Sequence, residues 1–275
     1  MRPVTDLPPE VRAGVRVVLA DIDDTMTVSG RLPASSYTAM WRLHDAGIHV
    51  VPVTGRPAGW CDLICRQWPV AGVIGENGAF AFYMDGEHRR TLAHPAAPDP
   101  ATTRDRLAAI AEEVYRRIDG TRPAKDQFAR LYDVAVDFRE EPPLLDFAVA
   151  EEIKSAFEKH GAHAKVSSIH VNAWFGDYDK LSMTRLFLAD RLALDLDDPG
   201  ANERAAFCGD SPNDEPMFAA FVNSVGVANI APFVERLDHP PAYVSRYESA
   251  RGFSELVDLI LADGRTDARN RENPA

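Results

Sequence analysis

Apolar residues in the first eighty positions gather in short, nearly unbroken runs. Val15-Arg-Val-Val-Leu-Ala20, Ile48-His-Val-Val-Pro-Val53 and Val70-Ala-Gly-Val-Ile-Gly75 are β-branched and bounded by polar turns, which predicts strands covered on both faces. Between the first two, Tyr37, Met40, Trp41, Leu43 and His44 recur at helical spacing, opened by Pro33 and Ser35 and stopped at Gly47. Trp60, Leu63, Ile64 and Trp68 repeat the pattern behind Pro57, which suits the first turn of a helix because its missing N–H has no partner there. Strand, helix, strand, helix, strand predicts an α/β fold with a parallel sheet and crossover helices.

From about Ala79 to Phe175 the pattern alternates instead. Ala79-Phe-Ala-Phe-Tyr-Met84, Tyr132-Asp-Val-Ala-Val-Asp-Phe138 and Lys165-Val-Ser-Ser-Ile-His-Val-Asn172 have the period of two that marks an antiparallel sheet with one covered face. Helical patterns at 102–118 and 145–160 lie among them, so the block reads as an α+β unit inserted into the first. After Lys180 the earlier style returns, with helices at 181–192 and 253–262 and strands at 204–208, 224–228 and 242–245. The expected division is a core of residues 1–83 and 178–275 and an inserted unit of 84–177, with the polar tail from about 264 expected to fray.

At 275 residues the chain suits two domains, and 45% hydrophobic with 26% charged residues is the balance of a globular protein. No run approaches the ~18 apolar residues of a membrane span, and the N-terminus carries no apolar signal core, so a cytoplasmic protein is expected. A formal charge of −12 disfavours nucleic acid and anionic membranes as partners. Cys61, Cys65 and Cys208 have no paired spacing for a disulfide framework or a zinc site; the first two, one helical turn apart, are expected to pack in the core.

Four short segments fall at the ends of expected strands or the starts of helices, where open parallel sheets place their ligands. Asp21 and Asp23 follow the first strand, and in extended chain both carboxylates would point the same way. A carboxylate can attack a phosphoryl group, and a second acid can protonate the leaving oxygen; alone, the pair is equally a solvated loop or a helix cap. Thr54 and Gly55 end the second strand, where a hydroxyl and the next amides can face an anion, although an N-cap threonine looks the same. Lys180 is one of five lysines and the only one outside the inserted block. A cation is disfavoured at a helix start, so it is expected to neutralise charge between carboxylate and phosphate. Gly209-Asp-Ser-Pro-Asn-Asp214 forms a turn whose acids suit Mg²⁺.

The ordered set Asp-x-Asp-x-Thr, Thr, Lys and Gly-Asp-x-x-Asn-Asp, spanning residues 21 to 214, resembles the haloacid dehalogenase-like superfamily. The resemblance implies a Rossmann-like core, Mg²⁺ and an aspartyl phosphate. By motif position Asp21 is the nucleophile and Asp23 the general acid/base, Thr54 and Lys180 orient the phosphate, and Asp21, Asp23 (through its carbonyl), Asp210 and Asp214 hold the metal with Asn213 in support. A large insert between Thr and Lys, with Thr54-Gly-Arg-Pro57 and Glu76-Asn-Gly-Ala79, resembles the type IIB, Cof-like subclass with a C2-type α+β cap. That subclass includes sucrose-phosphate and mannosyl-3-phosphoglycerate phosphatases and phosphomannomutases. It implies that Gly55, Arg56 and Asn77 line the substrate side. Two positions depart from the pattern, Asp24 and Leu181, where glycine is usual.

Lys125, Arg130, His170 and Asn172 could reach a substrate from the inserted unit, but on alternating strands exposed side chains are the default expectation. The implied activity is a Mg²⁺-dependent phosphatase of a sugar phosphate or similar small phosphate ester. Three alternatives stand beside it. Gly176-Asp-Tyr-Asp-Lys180 is also similar to phosphomannomutases, which implies a mutase; the same acids could serve a silent phosphate-binding protein; and a receiver-type switch would use a similar set, though in a smaller chain with its phosphoacceptor on a later strand. A monomer and a dimer are both open.

Overall fold

The computed structural model describes residues 1–262, and the tail expected to fray from about 264 lies outside them. Six parallel strands form the main sheet in the order Arg2–Pro3, Tyr243–Val244, Asn223–Gly226, Ala205–Gly209, Val17–Ala20 and His49–Pro52. Strand Val17–Ala20 is thus paired on both sides, with Leu19 registered between Phe207 and Val51. Its four residues Val17–Ala20 are all buried, the result expected of a strand with a covering layer on each face. One apolar cluster lies beneath helices Ala34–Asp45, Ala58–Gln67 and Ser249–Leu261, the other beneath Lys180–Leu192 and Glu215–Ala220.

Two helices bury a different face from the one their large apolar residues suggest. In Ala58–Gln67 the buried residues are Ala58, Cys61, Ile64 and Cys65, while Trp60 and Leu63 are exposed; small side chains let the helix approach the sheet, and the Arg56 guanidinium covers the Trp60 ring at 4.5 Å. All three cysteines are free and buried. Trp41 is likewise exposed, the inner face of its helix being Ser36, Ala39, Met40 and Leu43.

Strand Val73–Gly75 meets the main sheet through a single parallel bridge from Val53 to Ile74 and then pairs antiparallel with Phe80–Asp85, which pairs with His88–Ala93. Phe80 and Phe82 pack into one core cluster, and Ala81 and Leu92 against the other. The alternation at 79–84 therefore belongs to a hairpin at the core's edge. A separate four-stranded antiparallel sheet, ordered Arg122–Pro123, Val134–Asp137, His170–Trp174 and His163–Val166, carries helices Pro100–Arg117 and Phe147–Glu158 around its own core. The run 165–172, expected as one strand, is the turn of a hairpin: Ser167 takes the amides of Ile169 and His170 on its hydroxyl and reverses the chain. Among the described residues no helix is long and apolar enough to cross a membrane.

Candidate active site

The site is assembled at the C-terminal ends of the central strands. Asp21 leaves Val17–Ala20, and its amide still bonds to Cys208 O at 2.9 Å. The chain then turns, with Met26 N donating to Ile22 O, and Asp21 and Asp23 both border one chamber but meet different partners. Asp21 is buried and receives the Lys180 ammonium at 2.6 Å; Asp23 faces outward and is held by Arg56, whose Nε and Nη2 each lie 2.9 Å from one of its oxygens. One turn thus gives two neighbouring acids different surroundings.

The turn depends on a left-handed residue at Asp24, φ 57°. Aspartate tolerates that conformation better than most residues, which explains physically why a residue other than glycine can stand there. Burial raises the Asp24 carboxyl, opposed first by a hydrogen bond from Ser168 of the inserted unit.

Lys180 begins its helix behind a capping box in which Asp179 and Ser182 exchange hydrogen bonds, so the helix start is satisfied without the lysine. Its ammonium bridges Asp21 and Asp214, 2.6 and 2.8 Å away. Burial by itself would lower Lys180, but the two carboxylates raise it and keep it charged. Asp214 folds back beneath strand Ala205–Gly209, and its other oxygen accepts the Asp210 amide at 3.2 Å. Gly209 is required for this, since a Cβ there would lie 2.5 Å from that oxygen. Asp210 accepts the Thr25 hydroxyl at 3.0 Å.

Asp21, Asp210 and Asp214 bring ligand oxygens within 4.8 Å of one another, all buried. Burial, above all, pushes Asp21 up to about 8, with Lys180 opposing and Asp214 and Asp23 adding to it; Asp210 is raised well above the carboxylate range by burial and then by Asp21 and Asp214. Three buried carboxylates against one ammonium leave a deficit of positive charge, and hard oxygen donors at this spacing fit a Mg²⁺ ion. The Asp23 carboxylate is not part of that cluster.

Thr54 is fully buried, and its hydroxyl oxygen accepts the Arg56 amide at 3.0 Å, shaping the loop that presents Gly55 and Arg56. A small chamber lies above Asp21 and Asp23, walled by Gly55, Arg56, Ser211 and Asn213 and roofed by residues 167–170 and Asn172. Asn213 accepts the Ser211 hydroxyl at 2.7 Å. Asn77 does not line the chamber; it sits behind Gly55 and donates to Asp133 at 3.3 Å.

From the inserted unit, Arg130, His170 and Asn172 are buried, contrary to the expectation of exposed strand residues, because the core covers that face of the sheet. Arg130 donates to Gly55 O at 2.8 Å and pairs with Asp133, Asn172 donates to Asp133, and His170 Nε2 lies 2.8 Å from Glu140. That hydrogen bond is the main reason Glu140 is lowered to about 2. Lys125 points away and pairs with Glu141.

Several site residues escaped the sequence. The Glu76 carboxylate accepts four backbone amides, from Ala58 in the core and from Leu131, Tyr132 and Asp133 in the inserted unit. Asp126 and Glu140 complete the ring of acids around Arg56. Asn229 donates to Asp24 O at 3.0 Å, and its position just past strand Asn223–Gly226 was the available signal. Glu76 stands in the 76–79 segment already singled out, but its partners, like those of Asp126 and Glu140, are distant in sequence and gave no local signal.

Residues 18–106 match the family model of the haloacid dehalogenase-like hydrolases. A phosphoglycolate phosphatase of Pyrobaculum neutrophilum is 29% identical over 258 residues, 91% of this chain and 98% of that protein. Among solved structures, the C-terminal domain of the C. albicans trehalose-6-phosphate phosphatase has a TM-score of 0.71 at 15% identity, over 95% of this chain and 98% of that one. A Thermoplasma acidophilum protein has a TM-score of 0.69 at 18% identity, over 90% and 98%. The structural matches speak for the fold, and the sequence matches for the chemistry of its first third and for nearly its full length. With Asp21, Lys180, Asp210 and Asp214 converging at the strand ends of that fold, the chain is similar to the haloacid dehalogenase-like hydrolases over residues 18–106 and to a phosphatase over nearly its full length, which supports an enzyme of phosphatase type.

Proposed function

We propose that the chain is a Mg²⁺-dependent phosphomonoester phosphatase that works through an aspartyl phosphate on a sugar phosphate or a similarly small polar ester. The observation that carries this reading is the division of labour between two acids two residues apart. Asp21 is buried against an ammonium and two further carboxylates, whereas Asp23 stands at the chamber wall under a guanidinium.

In the first step an Asp21 oxygen attacks phosphorus, the ester P–O bond breaks, and the departing oxygen takes its proton from Asp23. In the second, Asp23 takes a proton from water, the water oxygen attacks phosphorus, and the bond to Asp21 breaks to release inorganic phosphate. Lys180 and the Gly55 and Arg56 segment face the phosphoryl oxygens, with Thr54 holding the segment in place. Asp21, Asp210 and Asp214 would hold Mg²⁺, which would supply the charge that lets an anionic ester approach these carboxylates.

Phosphate release from a panel of sugar phosphates, polyol phosphates and 2-phosphoglycolate tests the reading. Turnover that EDTA abolishes and Asp21→Asn removes is expected. Silence across the panel, or absolute dependence on a sugar bisphosphate activator, would overturn the hydrolase assignment.

A further inference from the structure

The chamber over Asp21 and Asp23 is about 20 Å³, little more than one water needs. A leaving group has to lie outside it. Ties between the inserted unit and the core gather on one side: the Glu76 carboxylate on the amides of 131–133, Arg130 on Gly55 O, and Arg56 on Asp126 and Glu140. Beyond the chamber's opposite wall the two parts meet differently. The Phe147 ring approaches Phe233 edge-on, centroids 5.9 Å apart, and a cleft of about 460 Å³ opens between them. Ser167, Ser168 and Ser211 line both the cleft and the chamber, so the two spaces adjoin across these three small side chains.

We infer that this cleft, between Phe147, Ser167 and Ser168 of the inserted unit and Ser211, Phe233 and Arg236 of the core, receives the leaving group, and that it is built for a ring polyol. The inference deepens the phosphatase reading and rests on it. Both phenylalanines are half-buried and offer apolar faces that a sugar ring can cover with its C–H face. Ser168 and Ser211, whose protons go to Asp24 and Asn213, keep hydroxyl oxygens that can accept from hydroxyls at the ring's edge. At the outer wall Arg236 is exposed, and among the described residues its guanidinium has no ion pair or hydrogen bond, leaving a free fork for a hydroxyl or a carboxylate. A two-carbon acid presents no face to the phenylalanine pair.

The test measures kcat/KM, with Mg²⁺, for a hexose phosphate, a disaccharide phosphate and 2-phosphoglycolate in the wild type, Phe233→Ala, Phe233→Leu and Phe147→Ala, with thermal unfolding of each. Loss of an aromatic face is expected to lower the ratio of sugar phosphate to phosphoglycolate turnover about tenfold, mainly through KM. Phe233→Leu, which keeps the volume, is expected to fold and to show the same change of ratio. Phe128→Ala, at a residue 90% exposed and outside the cleft, serves as the control whose ratio does not move. Equal effects on all esters in folded variants, or a wild type that favours phosphoglycolate with an unmoved ratio, would overturn the cleft assignment while leaving the phosphatase reading standing. No turnover of any ester by the wild type would sink both.

Discussion

Arg56 grips Asp23 through two nitrogens of its guanidinium, 2.9 Å each, while the same side chain reaches Asp126 at 3.2 Å and Glu140 at 3.3 Å across the junction with the inserted unit. A single core residue therefore holds the acid/base of the proposed cycle and two acids of the inserted unit. The guanidinium is suited to this because its donors diverge in a plane, whereas an ammonium is a point. Arg56→Lys is expected to keep the charge and lose the geometry, lowering kcat/KM by about tenfold or more on the scale of a lost charge-assisted hydrogen bond. A kcat/KM within twofold of wild type would show that the fork is dispensable.

Lys180 is the sole cation contacting Asp21 and Asp214 among the described residues. Lys180→Met removes the ammonium and leaves two buried carboxylates facing each other, so a loss of about 3–5 kcal/mol in unfolding free energy is expected together with loss of turnover. Adding Asp214→Asn should recover part of the stability and none of the activity. Urea unfolding of the single and double variants checks both.

Glu76 allows a pH test away from the reacting groups. Burial, then Asp133, pushes its carboxyl up to about 7, while the backbone amides that it accepts work in the other direction. A folded value above the unfolded one, near 4.5, means that the folded state favours the protonated form. The group's contribution is therefore fully present below pH ~4.5 and is lost as pH rises through ~7. Glu76→Gln cannot titrate. The stability difference, wild type minus variant, should fall by roughly 1–3 kcal/mol between pH 5 and pH 8, and a flat difference would refute the shift.

Metal binding has a readout that needs no substrate. A ligand that binds only the folded state raises its stability by RT ln(1 + [L]/Kd), so Mg²⁺ should raise the unfolding temperature of the wild type and EDTA should remove the gain. Asp210→Asn takes a carboxylate from the buried trio and should shrink that shift severalfold. An undiminished shift would place the metal elsewhere.

Gly78 adopts φ 105°, and a Cβ there would lie 2.0 Å from Asp179 O, directly before Lys180. Gly78→Ala is expected to strain the backbone and displace the lysine, lowering both the melting temperature and kcat. A variant with wild-type values for both would refute the coupling.

Much of this was legible because its causes are local. Short β-branched runs and helical spacing gave the alternation of strands and helices, and strand ends identified Asp21, Thr54 and the 209–214 turn. Boundaries shifted where a turn residue outweighed the apolar pattern, as at Ser167, whose hydroxyl holds the turn that splits 165–172 into two strands. Cys61 and Cys65 pack in the core as expected, while Trp60 and Leu63 of the same helix stay exposed because small residues give the close approach to the sheet.

By itself the sequence determined the parallel core, the inserted α+β block and the four motifs, since each follows from periodicity, turn chemistry or spacing within a few residues. The tertiary structure alone decided that Asp21 and Asp23 face different surroundings, that Glu76 joins the two parts, and that Arg130, His170 and Asn172 are covered while Lys125 is not. Those outcomes depend on which distant groups arrive beside a given side chain, and a buried polar group takes its role from the partners that replace its water.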